Sequence, residues 1–139
     1  MTVVTKEIQV HTRGESDVVE FTEEVQRHVA ETKLDSGVVT VFVAGSTAAV
    51  TTIEYEPGLA KDFPDALERA APKSLAYEHE KAWHDGNGHS HVKAALVGPS
   101  LAVPFVKGRL ALGTWQQVVL AEFDVRPRTR KIVLQIIGE

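Results

Sequence analysis

Long runs of β-branched residues constrain the fold of this chain more than any other feature. Val38–Val43 is a β-branched run that is too apolar for an edge strand, which predicts a central strand. Lys131–Ile137 is an almost continuous series of Ile, Val and Leu and predicts a closing strand. Val4, Ile8 and Val10 share one parity, which predicts a half-buried opening strand. The chain is therefore dominated by sheet.

Only two segments show the periodicity of a helix. Ser16 is a candidate N-cap for a helix with apolar positions at Val18, Phe21, Val25 and Val29. A second helix is predicted over Leu59–Ala71, with Pro64 in its first turn or at a kink. The other apolar segments are interpreted as strands: Ala48–Tyr55, His91–Val97, Leu101–Val106 and Arg109–Phe123, the last broken at Gly113–Trp115.

About seven strands and two helices result, and they do not alternate often enough for a doubly wound fold. We predict an α+β fold, a mostly antiparallel, β-sandwich-like domain with two helices. The 139 residues suit one domain over residues 1–139. A (β/α)8 barrel is excluded because it needs roughly 250 residues.

Composition limits the partners and the compartment. The net charge of −4 argues against a nucleic-acid partner, which usually requires a basic domain. The absence of cysteine excludes disulfides and thiol nucleophiles and fits a reducing cytoplasm. The N-terminus lacks the features of a signal peptide, and no apolar stretch approaches the roughly 18 residues of a membrane span. We expect a soluble, cytoplasmic protein without nucleic-acid or membrane partners.

Histidine is concentrated between Tyr77 and His91, where four of the six histidines lie. Imidazole is the commonest metal ligand in proteins. In an extended chain, His89 and His91 would point to the same side and could reach one metal ion or one anionic substrate. His79 and Asp85 would complete the ligand set, and the glycines of this segment disfavour a regular helix. The alternative is a solvated loop in which the histidines only form hydrogen bonds.

Three other segments carry polar groups that could bind a ligand. The turn Gly45–Thr47 could cradle an oxyanion with its backbone N–H groups, or it could be only a turn. Glu54 is either a buried acid or part of a polar strand face. Trp115 could face an aromatic ring, with Gln116 as donor and acceptor beside it, or it could fill a core or a subunit interface.

The basic segment near the C-terminus also has two interpretations. Arg126, Arg128 and Arg130 alternate around Pro127, and guanidinium groups suit phosphate recognition. The same pattern is typical of a solvated hairpin turn, which we slightly favour.

Taken together, these segments resemble the YjbQ family of small proteins, also described as secondary thiamine-phosphate synthases. The resemblance extends from Gly37 to Glu139 and rests on uncommon residues in a fixed order: Ser46–Ala49, Glu54, Asp62, Tyr77–His79, Asp85, Ser90–His91, Gly98–Ser100, Pro104, Lys107–Arg109, Gly113–Gln116, Glu122 and Gly138–Glu139. It implies a sandwich-like α+β homotrimer with polar pockets near the subunit contacts. It also implies a weak transferase activity, which joins a hydroxymethylpyrimidine diphosphate to a thiazole phosphate with loss of diphosphate; the physiological substrate is unknown.

The resemblance and the residue chemistry together give a site hypothesis. The candidate catalytic residues are His79, His91, Asp85 and Glu54. The candidate substrate-binding residues are Ser46, Thr47, Ser100, Lys107, Thr114, Trp115 and Gln116. His79, His91 and Asp85 would hold a divalent metal, Mg or Zn, and no organic cofactor is expected. Two alternatives stay open, a trimeric non-catalytic module that binds a phosphorylated metabolite or metal, and a metal-dependent hydrolase.

One position departs from the family pattern. Many members of the family carry a histidine where this chain has Gly45. If that histidine binds an anion or a metal, this chain must use backbone N–H groups or another histidine, and His84 and His89 are the candidates.

Overall fold

The computed structural model describes residues 1–139 and contains eight strands and four helices. In chain order these are β1 (Thr2–His11), β2 (Asp17–Glu20), α1 (Thr22–Glu31), β3 (Ser36–Val43), β4 (Ala48–Ile53), α2 (Pro57–Ala70), α3 (His79–Trp83), α4 (Gly88–Val97), β5 (Ser100–Val106), β6 (Arg109–Leu110), β7 (Gln117–Glu122) and β8 (Thr129–Gly138).

The larger of two sheets has five strands in the order β1-β8-β3-β5-β6. All of its neighbouring strands are antiparallel. The two most apolar runs of the sequence form its inner strands, since β3 lies between β8 and β5 and β8 lies between β1 and β3. The predicted central strand and closing strand are therefore both confirmed.

The smaller sheet has three antiparallel strands in the order β2-β7-β4. Its inner face and the inner face of the larger sheet enclose the main hydrophobic core, which has 17 buried residues. Val25 and Val29 of α1 belong to this core, because they are four residues apart on one face of the helix. The other face of the smaller sheet points away from this core, and other elements must cover it.

Helices α2 and α4 cover that second face. Ala49 of β4, Ala121 of β7 and Ala94 of α4 form a second apolar cluster with Phe123, and Phe63 and Leu67 of α2 pack against it. Alanine on both sides lets α4 lie close to β4. This close approach brings the start of α4 to the end of β4 that follows the Gly45–Thr47 turn.

The prediction of a strand over His91–Val97 is wrong, because these residues belong to α4. A short apolar run does not distinguish a buried strand from a buried helix by periodicity. Here Ala94, Ala95 and Leu96 have high helix propensity, and the helix buries its small residues on the sheet. The predicted absence of a regular helix between Tyr77 and His91 is also wrong, since α3 and the first turns of α4 lie there.

The first predicted helix begins later than its pattern indicates. Asp17–Glu20 is a strand, β2, in which Val18 and Val19 pair with Ala121 and Leu120 of β7. Ser16 has a φ of 64° and precedes this strand, so it is not an N-cap. Two adjacent β-branched residues fit a strand better than a helical turn.

The second predicted helix is confirmed, with an earlier start. α2 begins at Pro57, where the carboxylate of Glu56 caps the N–H groups of Gly58 and Leu59. Pro64 therefore lies in the helix interior and not in its first turn. Because proline has no backbone N–H, Pro64 cannot donate to the carbonyl of Ala60.

The α+β class and the mostly antiparallel sheets are confirmed, and the helices number four instead of two. None of these helices combines the length and the apolar character needed to traverse a lipid bilayer.

Candidate functional site

The histidine-rich segment is built from two helices and the tight connection between them. α3 ends at His84, which adopts a left-handed conformation with a φ of 53° and reverses the chain. The carboxylate of Glu80 accepts hydrogen bonds from the N–H groups of Gly86 and Gly88, both at 2.8 Å. These bonds hold the connection against α3, and they lower the pKa of Glu80 below its usual range. Asp85 is thereby held beside the first turn of α3.

His79, Asp85 and His91 converge at this connection. One potential ligand atom from each residue lies within 4.8 Å of those of the other two. His79 Nε2 lies 3.1 Å from Asp85 Oδ1, and the rings of His79 and His91 have centroids 4.5 Å apart. The structure thus brings together the three residues that the sequence analysis selected as metal ligands.

The surroundings of Asp85 favour its ionised form. The N–H of Asn87 donates to Asp85 Oδ1 at 3.0 Å. That hydrogen bond is the largest cause that lowers the pKa of Asp85 below its usual value, and the hydrogen bond with His79 adds to it. An ionised carboxylate beside two imidazoles supplies one oxygen and two nitrogen donors, which suits a transition metal such as zinc better than magnesium.

A cavity of about 380 Å³ adjoins this triad, and His91 belongs to both. One wall is α4, which presents His91, Ala94 and Ala95 at spacings of three and four residues. The remaining lining residues are Gly45, Ser46, Ala48 and Pro99. Gly45 and Ser46 of the turn and His91 of the metal-ligand candidates therefore line one cavity. Ser100, which is exposed, follows Pro99 at the start of β5.

A buried polar network lies behind this turn. Arg130 donates from Nε to Glu122 Oε1 at 2.8 Å and from Nη2 to Thr47 Oγ1 at 2.7 Å. Thr47 Oγ1 in turn donates to Asp124 Oδ2 at 3.0 Å, and Arg128 donates to the same oxygen. The hydroxyl of Thr47 is therefore occupied inside the protein and is not available to a ligand.

Asn87 connects this network to the histidine segment. Its Oδ1 accepts from the N–H of Val125 at 3.1 Å, and its Nδ2 lies 3.4 Å from Asp124 Oδ1. The residue that orients Asp85 through its N–H thus holds Asp124 through its side chain. Hydrogen bonds through Asn87 therefore connect the metal-ligand candidates to the polar network behind the cavity.

The remaining predicted site residues lie elsewhere. Glu54 and Trp115 are exposed, and Gln116 Nε2 contacts Thr52 Oγ1 at 3.5 Å near the far end of β4. Thr114 is also exposed there, and its carbonyl accepts from Gln117. At about 3.3 Å per strand residue, Thr52 lies about 13 Å and Glu54 about 20 Å from Ala48, which lines the cavity.

Lys107 is also distant from the cavity. It follows β5 in a left-handed conformation, with a φ of 53°. There it lines a separate, open cavity of about 530 Å³ together with Lys33 and Arg109. The length of β5 separates it from Ser100, so within one chain it cannot reach a ligand beside His91.

The two histidines considered as substitutes for the histidine missing at position 45 do not line the cavity beside Gly45. His84 is exposed at the end of α3. His89 is buried, and its Nε2 lies 2.7 Å from Glu15 Oε1. The idea that His89 and His91 reach one ligand is wrong, because residues two apart on a helix point about 200° from each other.

Sequence reasoning named Glu122 in the family resemblance and Arg130 among three arginines, but it missed that both are buried and paired with each other. A signal for both was present in the period of two. Glu122 shares the parity of Val118 and Leu120 in β7, and Arg130 shares that of Ile132 in β8; all of these residues are buried. Arg130 is consequently not part of a solvated turn, which corrects the interpretation favoured above for that arginine.

Comparison with known proteins gives a consistent result. A family model with the description "UPF0047 protein YjbQ-like" matches residues 6–139. A UPF0047 protein of Archaeoglobus fulgidus is 34% identical over 131 residues, which are 94% of this chain and 99% of the relative. The UPF0047 protein YugU of Bacillus subtilis is 34% identical over 135 residues, 96% of this chain and 98% of the relative.

Solved structures agree with these relatives. A YbjQ-like protein of unknown function from Sulfolobus solfataricus superposes with a TM-score of 0.93 at 32% identity, covering 99% of each chain. A hypothetical protein from Aeropyrum pernix superposes with a TM-score of 0.90 at 31% identity, covering 98% of this chain and 99% of that one.

Proposed function

This chain is a member of the YjbQ-like UPF0047 family, and from that premise we propose that it is a metal-dependent transferase acting on phosphorylated metabolites. One observation carries the proposal, the convergence of His79, Asp85 and His91 within 4.8 Å at the edge of a cavity. The reaction we propose is similar to thiamine-phosphate synthesis. A carbon–oxygen bond of a pyrimidine diphosphate breaks, the diphosphate leaves with the electron pair, and the thiazole nitrogen forms the new bond.

One pair of donors already has the spacing that a divalent ion requires. Metal–nitrogen and metal–oxygen bonds of about 2.0–2.2 Å place neighbouring ligand atoms roughly 3–3.5 Å apart. The separation of 3.1 Å between His79 Nε2 and Asp85 Oδ1 fits this requirement. A zinc ion held here would supply Lewis acidity where negative charge develops on the leaving diphosphate.

The protein's own groups would bind and orient the substrate. Ser46 lines the cavity, and the backbone N–H groups of Ser46 and Thr47 donate to no backbone carbonyl, so they are free to bind phosphate oxygens. Ala94, Ala95 and Pro99 give the cavity an apolar side that suits the carbon skeleton of a metabolite. Asp85 and Glu80 keep the metal ligands in place.

A homotrimer is part of the proposal. Trp115 is 70% exposed and precedes Gln116, which contacts Thr52 about 13 Å along β4 from Ala48 at the cavity, and Glu54 lies about 20 Å from Ala48. If these residues bind the aromatic ring of the substrate, a neighbouring subunit must supply them. A pocket between subunits would unite both groups of residues. The cytoplasm, where phosphorylated metabolites are made, is the location we propose.

Hydrolysis is the second candidate. The distance between the cavity and the group around Trp115 favours hydrolysis if one chain acts alone. Water as the nucleophile needs only the metal ligands and a phosphate site, both of which lie at the cavity. The products distinguish the candidates, because a hydrolase consumes the diphosphate ester without the thiazole partner. A module that binds the diphosphate ester and forms no product would support the non-catalytic alternative.

The metal site is tested with protein that carries no histidine tag. We expect wild-type protein to bind one equivalent of zinc per chain, measured by mass spectrometry of the metal after dialysis. His91→Ala should reduce the zinc affinity by at least about tenfold, because one ligand of three is lost. His11→Ala is the matched control, since His11 is exposed and contacts Thr129 on the larger sheet. Equal zinc binding by wild type and His91→Ala, or none by wild type, would contradict the proposal.

A further inference from the structure

Arg130 is held rigidly at the end of the main core. Its side chain is 9% exposed, and three hydrogen bonds from Nε and Nη2 attach it to Glu122 and Thr47. The partner charges of the network cancel, because Arg130 pairs with Glu122 and Arg128 pairs with Asp124. The orientation of the guanidinium plane is therefore determined by the protein and not by solvent.

The Nη1 edge of this guanidinium is the exception. Nη1 donates to no acceptor in the protein, whereas Nε and Nη2 do. Only one side-chain polar atom, His28 Nδ1, is both fully buried and without a hydrogen-bond partner. Because Arg130 Nη1 also lacks a partner, it cannot be fully buried, and its edge is reachable from the surface. Buried arginines normally satisfy their donors, and a nine-tenths-buried guanidinium with one open edge points to a ligand.

Gly45 keeps this edge open. A Cβ atom at position 45 would lie 2.7 Å from Arg130 Nη1. Gly45 is not among the residues with positive φ, so its backbone conformation does not require glycine. The side chain at position 45 is instead limited by the nearby Arg130. Gly45 also lines the same cavity as His91.

From these observations we infer that Arg130 Nη1, together with the backbone N–H groups at positions 46 and 47, forms a binding subsite for the phosphate group of the substrate. The inference rests on the proposed function, in which the cavity beside His91 receives a phosphorylated metabolite. Planar guanidinium N–H groups suit phosphate oxygens, and unpaired backbone N–H groups of a turn add to them. Because the network is neutral, hydrogen-bond geometry and not net charge would select the ligand.

The subsite is tested by calorimetric titration of metal-free protein with inorganic phosphate. Gly45→Ala places a methyl group 2.7 Å from Nη1, which must displace that edge of the guanidinium but removes neither Arg130 nor its hydrogen-bond partners. We expect wild type to bind phosphate and Gly45→Ala to bind it at least about tenfold more weakly, the effect of losing one charge-assisted hydrogen bond. Gly58→Ala, which alters an exposed glycine in the first turn of α2, should bind phosphate as wild type does.

Two readouts separate this inference from the proposed function. Zinc binding should be unchanged in Gly45→Ala, because no ligand is altered, and its thermal unfolding midpoint should show that it is folded. Equal phosphate affinity of wild type and Gly45→Ala, or no binding by wild type at millimolar phosphate, would overturn the subsite. Zinc binding that depends on His91 would then still support the proposed function.

Discussion

At the scale of single residues, the position of each polar side chain in its element decides its role. His91 and His89 are two positions apart on α4, and one joins His79 and Asp85 while the other is buried against Glu15. The sequence analysis chose His79, Asp85 and His91 as metal-ligand candidates from residue type and family resemblance, and the structure brings the three side chains together. It could not predict the helix that separates His89 from them, because the glycines of this segment indicated a loop.

Asp124 makes the stability of the protein sensitive to acid. Burial opposes its ionisation, but hydrogen bonds from Thr47 and Arg128 outweigh burial and keep its pKa below the usual range. A folded-state pKa below the unfolded value of about 3.9 contributes stability that is present above that value and is lost as the pH falls through the folded pKa. Asp124 therefore contributes fully at neutral pH and progressively less in acid.

We expect Asp124→Asn to lower the free energy of unfolding at pH 7 by about 1–3 kcal/mol, because the partners of the carboxylate stay buried. Below about pH 5 the variant should lose less stability than wild type as the pH falls. Urea denaturation at pH 7, 5 and 3 measures both effects. Asp65→Asn removes an exposed ion pair with Lys61 and should retain the wild-type pH dependence. Parallel curves for wild type and Asp124→Asn would rule out this role.

At the scale of elements, the contact between α2 and α4 holds the cavity wall in place. Lys93 of α4 is 2% exposed, and its Nζ donates to Glu68 Oε2 of α2 at 2.6 Å. Most of the strands, though not β2, could be predicted because β-branched runs and alternation have a period of two. α4 could not, because its apolar residues are too few to show a period, and only its packing on the smaller sheet distinguishes it from a strand.

Breaking this ion pair from either side should have unequal effects. Glu68→Gln leaves the buried ammonium of Lys93 without its charged partner and should lower the free energy of unfolding by about 1–3 kcal/mol. Lys93→Met removes the buried charge and retains most of the apolar stem, so it should cost less. Urea denaturation of the two variants gives the comparison. A larger loss in Lys93→Met would mean that the ion pair is not what holds α4 to α2.

At the scale of the whole molecule, the site residues form two groups at opposite ends of the smaller sheet. His79, Asp85 and His91 lie at one end of β4, and Trp115 and Gln116 lie at the other. The sequence analysis could treat them as one site because residue types carry no distances between elements. If both groups contact one substrate, a neighbouring subunit must supply one of them.

We therefore expect the protein to be a trimer in solution. Light scattering during size-exclusion chromatography should give three times the chain mass of 15.2 kDa. Trp115→Ala should weaken the assembly if this exposed side chain lies at the contact. On dilution, the variant trimer should then begin to dissociate at a higher protein concentration than the wild-type trimer does. A mass of 15.2 kDa at all concentrations would exclude a pocket shared between subunits.

The open guanidinium edge beneath Gly45 has a consequence for how this protein can change during evolution. Arg130 binds Glu122 and Thr47 with most of its donors, and its remaining Nη1 edge lies beside Gly45, which lines the cavity. Replacing it would leave Glu122 buried without its partner and, if the subsite exists, would also remove ligand recognition, so selection for stability and selection for binding would act on the same residue. Position 45 is free of that double constraint. A lineage that alters its ligand is therefore expected to mutate the glycine and to conserve the arginine.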